Sequence, residues 1–488
     1  MKRLDDELVL CLHCRRVKQP GELGWEQFDI AAAELHLCPL HAPAFALGLD
    51  WSDRRQRIES THAASRATEE KKTEQREGVP EQRRRRAEAR LKRVFTWDMT
   101  PQQVFDELSR WVAGQDAAKR VLATAVRTHY RRVQMRMIEE KGKAAPVKAD
   151  LLPKESVLLL GPTGSGKSFT CRTLARGILD VPYHQQSTAN FSEVGYVGGD
   201  VSDMLSAAVS AADGYLPLAT KAVLMIDEVD KAAKKDVHGS RDVSGEGVQI
   251  QLLELLDVGS KVWVCPFVSG RRNPNQPLVE FDTTDTMFIL GGAFVGLSDI
   301  IGRRIGGRRR MGFAPRGHDT PQDVQSREAA ALHECLPEDL IAFGLIPELV
   351  GRLGSYAVFD PLSVGDLRHV MTEVEEAVVK QHHARAQLEG FDLEFAEDAV
   401  DAICRRAYDS GMGARRLRSL TSEVVARIFF DIPQARGQGR PPRVVITAAT
   451  VEDPAAYEVV RPRRTASRQR ATSPDAAETT NETVGGNA

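Results

Sequence analysis

Gly161-Pro162-Thr163-Gly164-Ser165-Gly166-Lys167-Ser168 is the stretch that decides how this chain is read. The apolar run 157–160 before it reads as a short buried strand, and residues 169–178 after it read as a helix. Strand, glycine-rich loop and helix in that order form a phosphate-binding loop. The glycines let backbone N–H groups turn inward around a polyphosphate, and the helix N-terminus adds partial positive charge. Lys167 can reach the terminal phosphates, and the Ser168 hydroxyl can sit on Mg²⁺.

A second apolar run, 222–226, has the composition of a central parallel strand covered on both faces, and it ends in Asp227-Glu228. An Asp at such a strand end holds Mg²⁺, directly or through water. The adjacent Glu orients and deprotonates an attacking water. The bland alternatives are a chance glycine turn and an ordinary polar strand end. The two motifs together favour hydrolysis of ATP or GTP over passive binding.

The chain has 488 residues, enough for two to four domains, with 42% hydrophobic and 27% charged residues, as expected for a globular protein. A net charge of −2 points to no polyanionic partner. No apolar run approaches the ~20 residues of a membrane span. The acidic start, Asp5-Asp6-Glu7, is a poor signal peptide, so a cytoplasmic protein is expected.

Of seven cysteines, Cys11, Cys14 and Cys38 lie near the start and four are scattered, a poor disulfide framework. Cys11-x2-Cys14 and Cys38-x2-His41 supply a tetrahedral ligand set for structural Zn²⁺, closing residues 15–37 as a loop. His13 and His36 are alternative ligands, and unliganded surface cysteines are the bland reading.

Composition then divides the chain. Residues 1–50 form the zinc-binding module, and 51–95 form a charged linker with the basic run Arg83–Arg86 and little hydrophobic periodicity. Residues 96–358 alternate strands and helices, the pattern of an α/β ATPase domain with a parallel sheet. Residues 359–460 are mainly helical with a short β-like stretch at 443–446, and 461–488 read as a disordered tail.

Longer strings carry a family resemblance. Thr100-Pro-Gln-Gln-Val104, Val112-Ala-Gly-Gln-Asp-Ala-Ala-Lys119, Gly195-Tyr-Val-Gly198, Arg241-Asp-Val-Ser-Gly-Glu-Gly-Val-Gln249, Gly291-Gly-Ala-Phe294, Leu345-Ile-Pro-Glu-Leu-Val-Gly-Arg352 and Gly413-Ala-Arg-Arg-Leu-Arg418 resemble the ClpX family of AAA+ protein unfoldases over roughly residues 96–460. The resemblance implies an AAA+ large domain, a small helical domain and a zinc module. It implies a homo-hexamer using ATP, Mg²⁺ and Zn²⁺ and feeding protein substrates to a ClpP-type peptidase, with adaptors on the zinc module. Val112 and Ala113 would flank adenine. Arg352 would act in trans as an arginine finger, and Arg415 would read the nucleotide from the small domain. Tyr196 and Val197 would grip the substrate chain. Ser244 and Glu246 would form a second pore loop, and Arg271 and Arg272 a pore-entrance loop. Met311-Gly312-Phe313 would dock on the peptidase.

The chain departs from the family pattern where substrates, adaptors or nucleotide are gripped. His41 stands where the family has Cys, Gly199 where it has an acidic residue, and Asn273 where it has His. Val112-Ala113 is smaller than usual, and Met311 replaces Ile. None of these removes a catalytic group. The altered Met-Gly-Phe loop motivates an alternative: a remodelling ATPase that works without a peptidase. A nucleic-acid motor is a third reading, motivated by Arg83–Arg86 and the Arg-rich stretch 303–310, though basic runs are more often solvated loops.

Overall fold

The computed structural model describes residues 81–191, 201–233, 243–264, 278–306, 321–431 and 442–460, together with the backbone of 2–3, 26–30, 33–37, 267–268 and 271–272. The chain forms two compact units, Met1–Glu81 and Gln82–Ala488.

In the first unit, Glu26–Ile30 and Ala33–Leu37 form an antiparallel hairpin, with Phe28 opposite Leu35 and Ile30 opposite Ala33. Lys2–Arg3 pairs along its edge. Part of the stretch expected as a loop between Cys14 and Cys38 is therefore β-structure. Alternating apolar residues, Phe28 and Ile30 on one arm and Ala33, Leu35 and Leu37 on the other, account for it. Cys11, Cys14, Cys38 and His41 lie outside the described residues.

The second unit is built on five parallel strands: β1 (Ser156–Leu160), β2 (Tyr183–Ser187), β3 (Val223–Asp227), β4 (Met287–Gly292) and β5 (Ser355–Val358). Their order across the sheet is β5-β1-β4-β3-β2. Every residue of β1 and β4 is buried. Alternation sorts them between two cores. Val157, Leu159, Val223, Met225, Met287 and Ile289 face one, and Leu158, Leu160, Leu224, Ile226, Phe288 and Leu290 face the other. Each such side chain contributes about 1.5–3 kcal/mol on burial. Because both faces are covered, the strands read as unbroken apolar runs. At the N-terminal edge of the sheet, the Lys221 ammonium pairs with Asp285 at 2.5 Å. The His129 ring, pushed down to about 4 by burial, is neutral and donates from Nε2 to the Asp285 carbonyl at 3.1 Å.

Three helices lead into this sheet: α1 (Glu81–Thr96), α2 (Pro101–Ser109) and α3 (Asp116–Glu140). Residues 81–95 of the linker expected over 51–95 lie in helix α1, and 51–80 lie outside the described residues. Ala87 and Val94 are buried in the two cores, and Leu91 and Phe95 pack beside them. Arg90 donates to the carbonyls of Asp180 (3.2 Å) and Ala211 (3.2 Å). Within the basic run, Arg84 pairs with Glu88 at 2.9 Å. A capping box starts α2: the Gln103 amide donates to Thr100 Oγ1, and the Thr100 amide to Gln103 Oε1.

Beyond Phe359 the small domain has its own core. It comprises α4 (Val364–Thr372), α5 (Val378–Glu389), α6 (Glu397–Asp409) and α7 (Ala414–Asp431). The β-like stretch is strand β7 (Arg443–Ile446), the centre of a three-stranded sheet between β6 (Asp392–Phe395) and β8 (Glu458–Val460). The domain is thus mainly helical with the expected β-stretch, to which two further strands pair. Residues 461–488 lie outside the described residues. Among the described residues, no helix is long and apolar enough to cross a membrane.

Candidate nucleotide site

Strand β1 ends at Leu160 and the chain turns at once into the glycine-rich loop. Gly161 has φ +142°, and a Cβ there would lie 2.1 Å from the Phe359 carbonyl oxygen. Gly164 has φ +85°, and a Cβ there would lie 2.3 Å from the Met412 carbonyl oxygen. These two glycines therefore do more than turn the chain. They let it run against the segment joining the two domains and against the start of α7. A short helix, Lys167–Arg172, follows and continues as a wider π-type turn through Thr173–Leu179.

Lys167 is buried, and its ammonium donates to the carbonyls of Gly161 (2.6 Å) and Pro162 (2.8 Å). Burial lowers its pKa to about 8. Asp227 and Asp230 pull the other way, and Arg415 pushes in the same direction as burial. The positive charge of Arg415, carried by the small domain, thus acts on the loop lysine.

Strands β1 and β3 end at the same edge of the sheet, which brings Ser168 and Asp227 together. The Ser168 hydroxyl donates to Asp227 Oδ2 at 3.2 Å. The Glu228 amide donates to Asp227 Oδ1 at 3.0 Å. Glu228 itself has φ +60°, a conformation that costs an L residue about 1 kcal/mol. It is held there from β2 and the turn that follows. The Ser187 hydroxyl donates to Glu228 Oε2 at 2.6 Å, and the Thr188 hydroxyl to the Glu228 carbonyl at 2.6 Å. A hydroxyl oxygen and a carboxylate this close, beside a glycine-rich loop and its buried lysine, suit Mg²⁺ carried by a polyphosphate.

Val112 and Ala113 are buried, and Ala113 packs with Val374 and Ala377 of the small domain. Gln115 follows them with φ +60°. Its side chain donates to the carbonyls of Ser165 (3.3 Å) and Asp360 (2.8 Å) and accepts from the Asp360 amide at 2.9 Å. One carboxamide thus ties the phosphate loop to the interdomain segment. A cavity of about 100 Å³ opens beside it, lined by Pro162–Ser165, Gln325, Ser363, Tyr408 and Gly413 among others.

The other expected residues are dispersed. Arg352 pairs with Asp257 at 2.8 Å; among the described contacts it touches neither the loop nor Asp227. Glu246 lies in the first turn of the helix Val243–Leu256, whose second residue is Ser244. Arg271–Arg272 forms a two-residue strand pairing with Phe267–Val268. Tyr196, Val197, Met311, Gly312 and Phe313 lie outside the described residues.

The family model described as "AAA domain (Cdc48 subfamily)" matches residues 152–356, and that described as "C-terminal, D2-small domain, of ClpB protein" matches 363–434. The chain is 38% identical over 342 residues to the ATP-dependent Clp protease ATP-binding subunit ClpX of Treponema denticola, covering 70% of this chain and 79% of the relative. It is 39% identical over 340 residues to the same-named protein of Borrelia duttonii, covering 69% of this chain and 75% of the relative. This chain belongs to the ClpX family. It is accordingly an AAA+ ATPase that uses ATP and Mg²⁺, a Clp-type unfoldase.

Within this ClpX-family site, several supporting residues carried no contiguous sequence signal. Gln185, Ser187 and Asp230 belong to no motif read above, and the bonds of Gln115 to Ser165 and Asp360 are not written in the string 112–119 that contains it. The usable signal was position. In a parallel α/β sheet the ligand sits at the C-terminal ends of strands, so polar residues ending β2 were candidates.

Proposed function

We propose that this protein hydrolyses ATP to unfold protein substrates and thread them into a ClpP-type peptidase. The observation that carries this reading is the meeting of Lys167, Ser168, Asp227 and Glu228 at one sheet edge, within reach of the charge of Arg415 from the small domain. Lys167 and the loop amides hold the phosphates; Ser168 and Asp227 hold Mg²⁺, which screens the developing phosphate charge. Glu228 activates the attacking water. Arg415 couples the nucleotide to the angle between the domains, and Val112 and Ala113 flank the adenine. Arg352, exposed and paired with Asp257 among the described residues, is available to a neighbouring subunit's nucleotide in a homo-hexamer. Tyr196 and Val197 pull the substrate, helped by Ser244, Glu246, Arg271 and Arg272. Met311, Gly312 and Phe313 dock on the peptidase through an aliphatic and an aromatic anchor. Cys11, Cys14, Cys38 and His41 bind a structural zinc in a module that receives substrates or adaptors in the cytoplasm.

The test is degradation of a folded and an unstructured tagged reporter by this protein with the ClpP of the same organism. Loss of the folded reporter only when both proteins and ATP are present is the expected result. ATP turnover without degradation or ClpP binding would instead favour peptidase-independent remodelling.

A further inference from the structure

Gln185 sits on β2, whose register places it beside Met225 and places Ser187 beside Asp227. Its carboxamide nitrogen has two hydrogens and two acceptors in reach: Asp227 Oδ2 at 2.9 Å and Ser168 Oγ at 3.1 Å. The buried Tyr183 hydroxyl donates to Gln185 Oε1 at 3.2 Å. That contact turns the amide so that its nitrogen, not its oxygen, meets the carboxylate. Asp227 is then gripped at both oxygens, Oδ2 by Gln185 and Oδ1 by the Glu228 amide.

We propose that Gln185 is a positioning residue for magnesium, holding the Asp227 carboxylate and the Ser168 hydroxyl in the orientation that receives the cation. The chemistry of the side chain suits the task. A lysine or arginine here would also orient Asp227, but its charge would repel Mg²⁺ and neutralise the carboxylate. A carboxamide orients without charge, so the full negative charge of Asp227 stays available to the metal. Groups behind a metal's direct ligands typically change its affinity by about 10–100-fold when removed. The side chain is exposed, so its replacement creates no cavity in the core.

The inference rests on the reading that the chain binds ATP with Mg²⁺. The experiment is fluorescent-ADP binding to the full chain, titrated with Mg²⁺ and repeated in EDTA. In Gln185→Leu, the Mg²⁺ concentration giving half of the metal-dependent tightening should rise about tenfold. ADP affinity in EDTA should stay within about twofold, because the loop amides and Lys167 are untouched. Tyr183→Phe should move the midpoint the same way by less. Gln185→Met, unbranched and apolar, repeats the test should the leucine variant melt early. An unchanged midpoint in both Gln185 variants overturns the proposal. So does equal weakening with and without Mg²⁺, which would make Gln185 a prop for the whole loop. A wild-type protein whose ADP binding ignores Mg²⁺ would instead sink the nucleotide–metal reading on which the proposal stands.

Discussion

Raising the pH from 7 to 9 should weaken nucleotide binding about tenfold, through Lys167. Burial holds the free-protein pKa of this lysine at about 8, against its ordinary 10.5. The ammonium is then about nine-tenths protonated at pH 7 and about one-tenth at pH 9. A bound polyphosphate, with its negative charge beside Nζ, favours the charged form and lifts the pKa back. Only the protonated fraction binds without taking up a proton, so apparent affinity follows that fraction. The loss between pH 7 and pH 9 is about a factor of 10, or about 1.4 kcal/mol. Two buried groups beside Lys167 or its partner Asp227 lie outside this window. Burial pushes the Cys171 thiol and the Tyr183 phenol upward out of it. The same shift sets a sign for stability without nucleotide. Between about 8 and 10.5 the unfolded chain holds more protons on Lys167 than the folded one, so Lys167's contribution to stability rises with pH across that window. The assay is calorimetric titration of ADP at several pH values in buffers of different ionisation enthalpy, which reads affinity and proton uptake together. ADP suits it because its terminal phosphate titrates at about pH 6, below the window. Lys167→Arg, charged at every pH, should give a flat profile with no proton uptake. A wild-type affinity unchanged from pH 7 to 9 would refute the reasoning, as would binding without proton uptake at pH 9.

Three further outcomes are expected. Glu228→Gln should retain ATP binding while turnover falls by about 10²–10⁴-fold in steady-state ATPase measurements, and near-normal hydrolysis would remove Glu228 from the role of base. Gly164→Ala must place a Cβ 2.3 Å from the Met412 carbonyl oxygen at φ +85°, so the loop and the start of α7 must part. ATP turnover should fall at least about tenfold, since a 1.4 kcal/mol loss suffices, and wild-type kcat and KM would show that the contact is not kept during the cycle. Ala87→Asp puts a carboxylate into a fully buried position of α1 and should cost about 2–3 kcal/mol by chemical denaturation; an unchanged midpoint would mean that α1 does not dock on the ATPase domain.

Much of the fold was legible because its signals are local. The runs ending at Leu160 and Ile226 are apolar at every position, as a strand covered on both faces requires, and each announces the loop that follows it. The failures have equally local causes. In α1 the apolar residues Ala87, Leu91, Val94 and Phe95 stand at helical spacing, but Arg83–Arg86 and the surrounding charges dilute the stripe below notice. The short alternation in the hairpin Glu26–Leu37 lies between cysteines whose spacing equally suits a metal-closed loop.

The sequence by itself determined that a polyphosphate loop, an acidic strand end and a small second domain occur in this order, because each is written in neighbouring residues. The tertiary structure alone decided which distant residues meet there. Gln185 reaches Asp227 across 42 positions, Gln115 reaches Asp360 across 245, and Arg352 is partnered by Asp257. Periodicity states which face of an element is buried but not what lies against it. The register of β2 on β3 and the packing of the small domain on the loop fix those partners through space, and they set the charge on Lys167 and the orientation of Asp227.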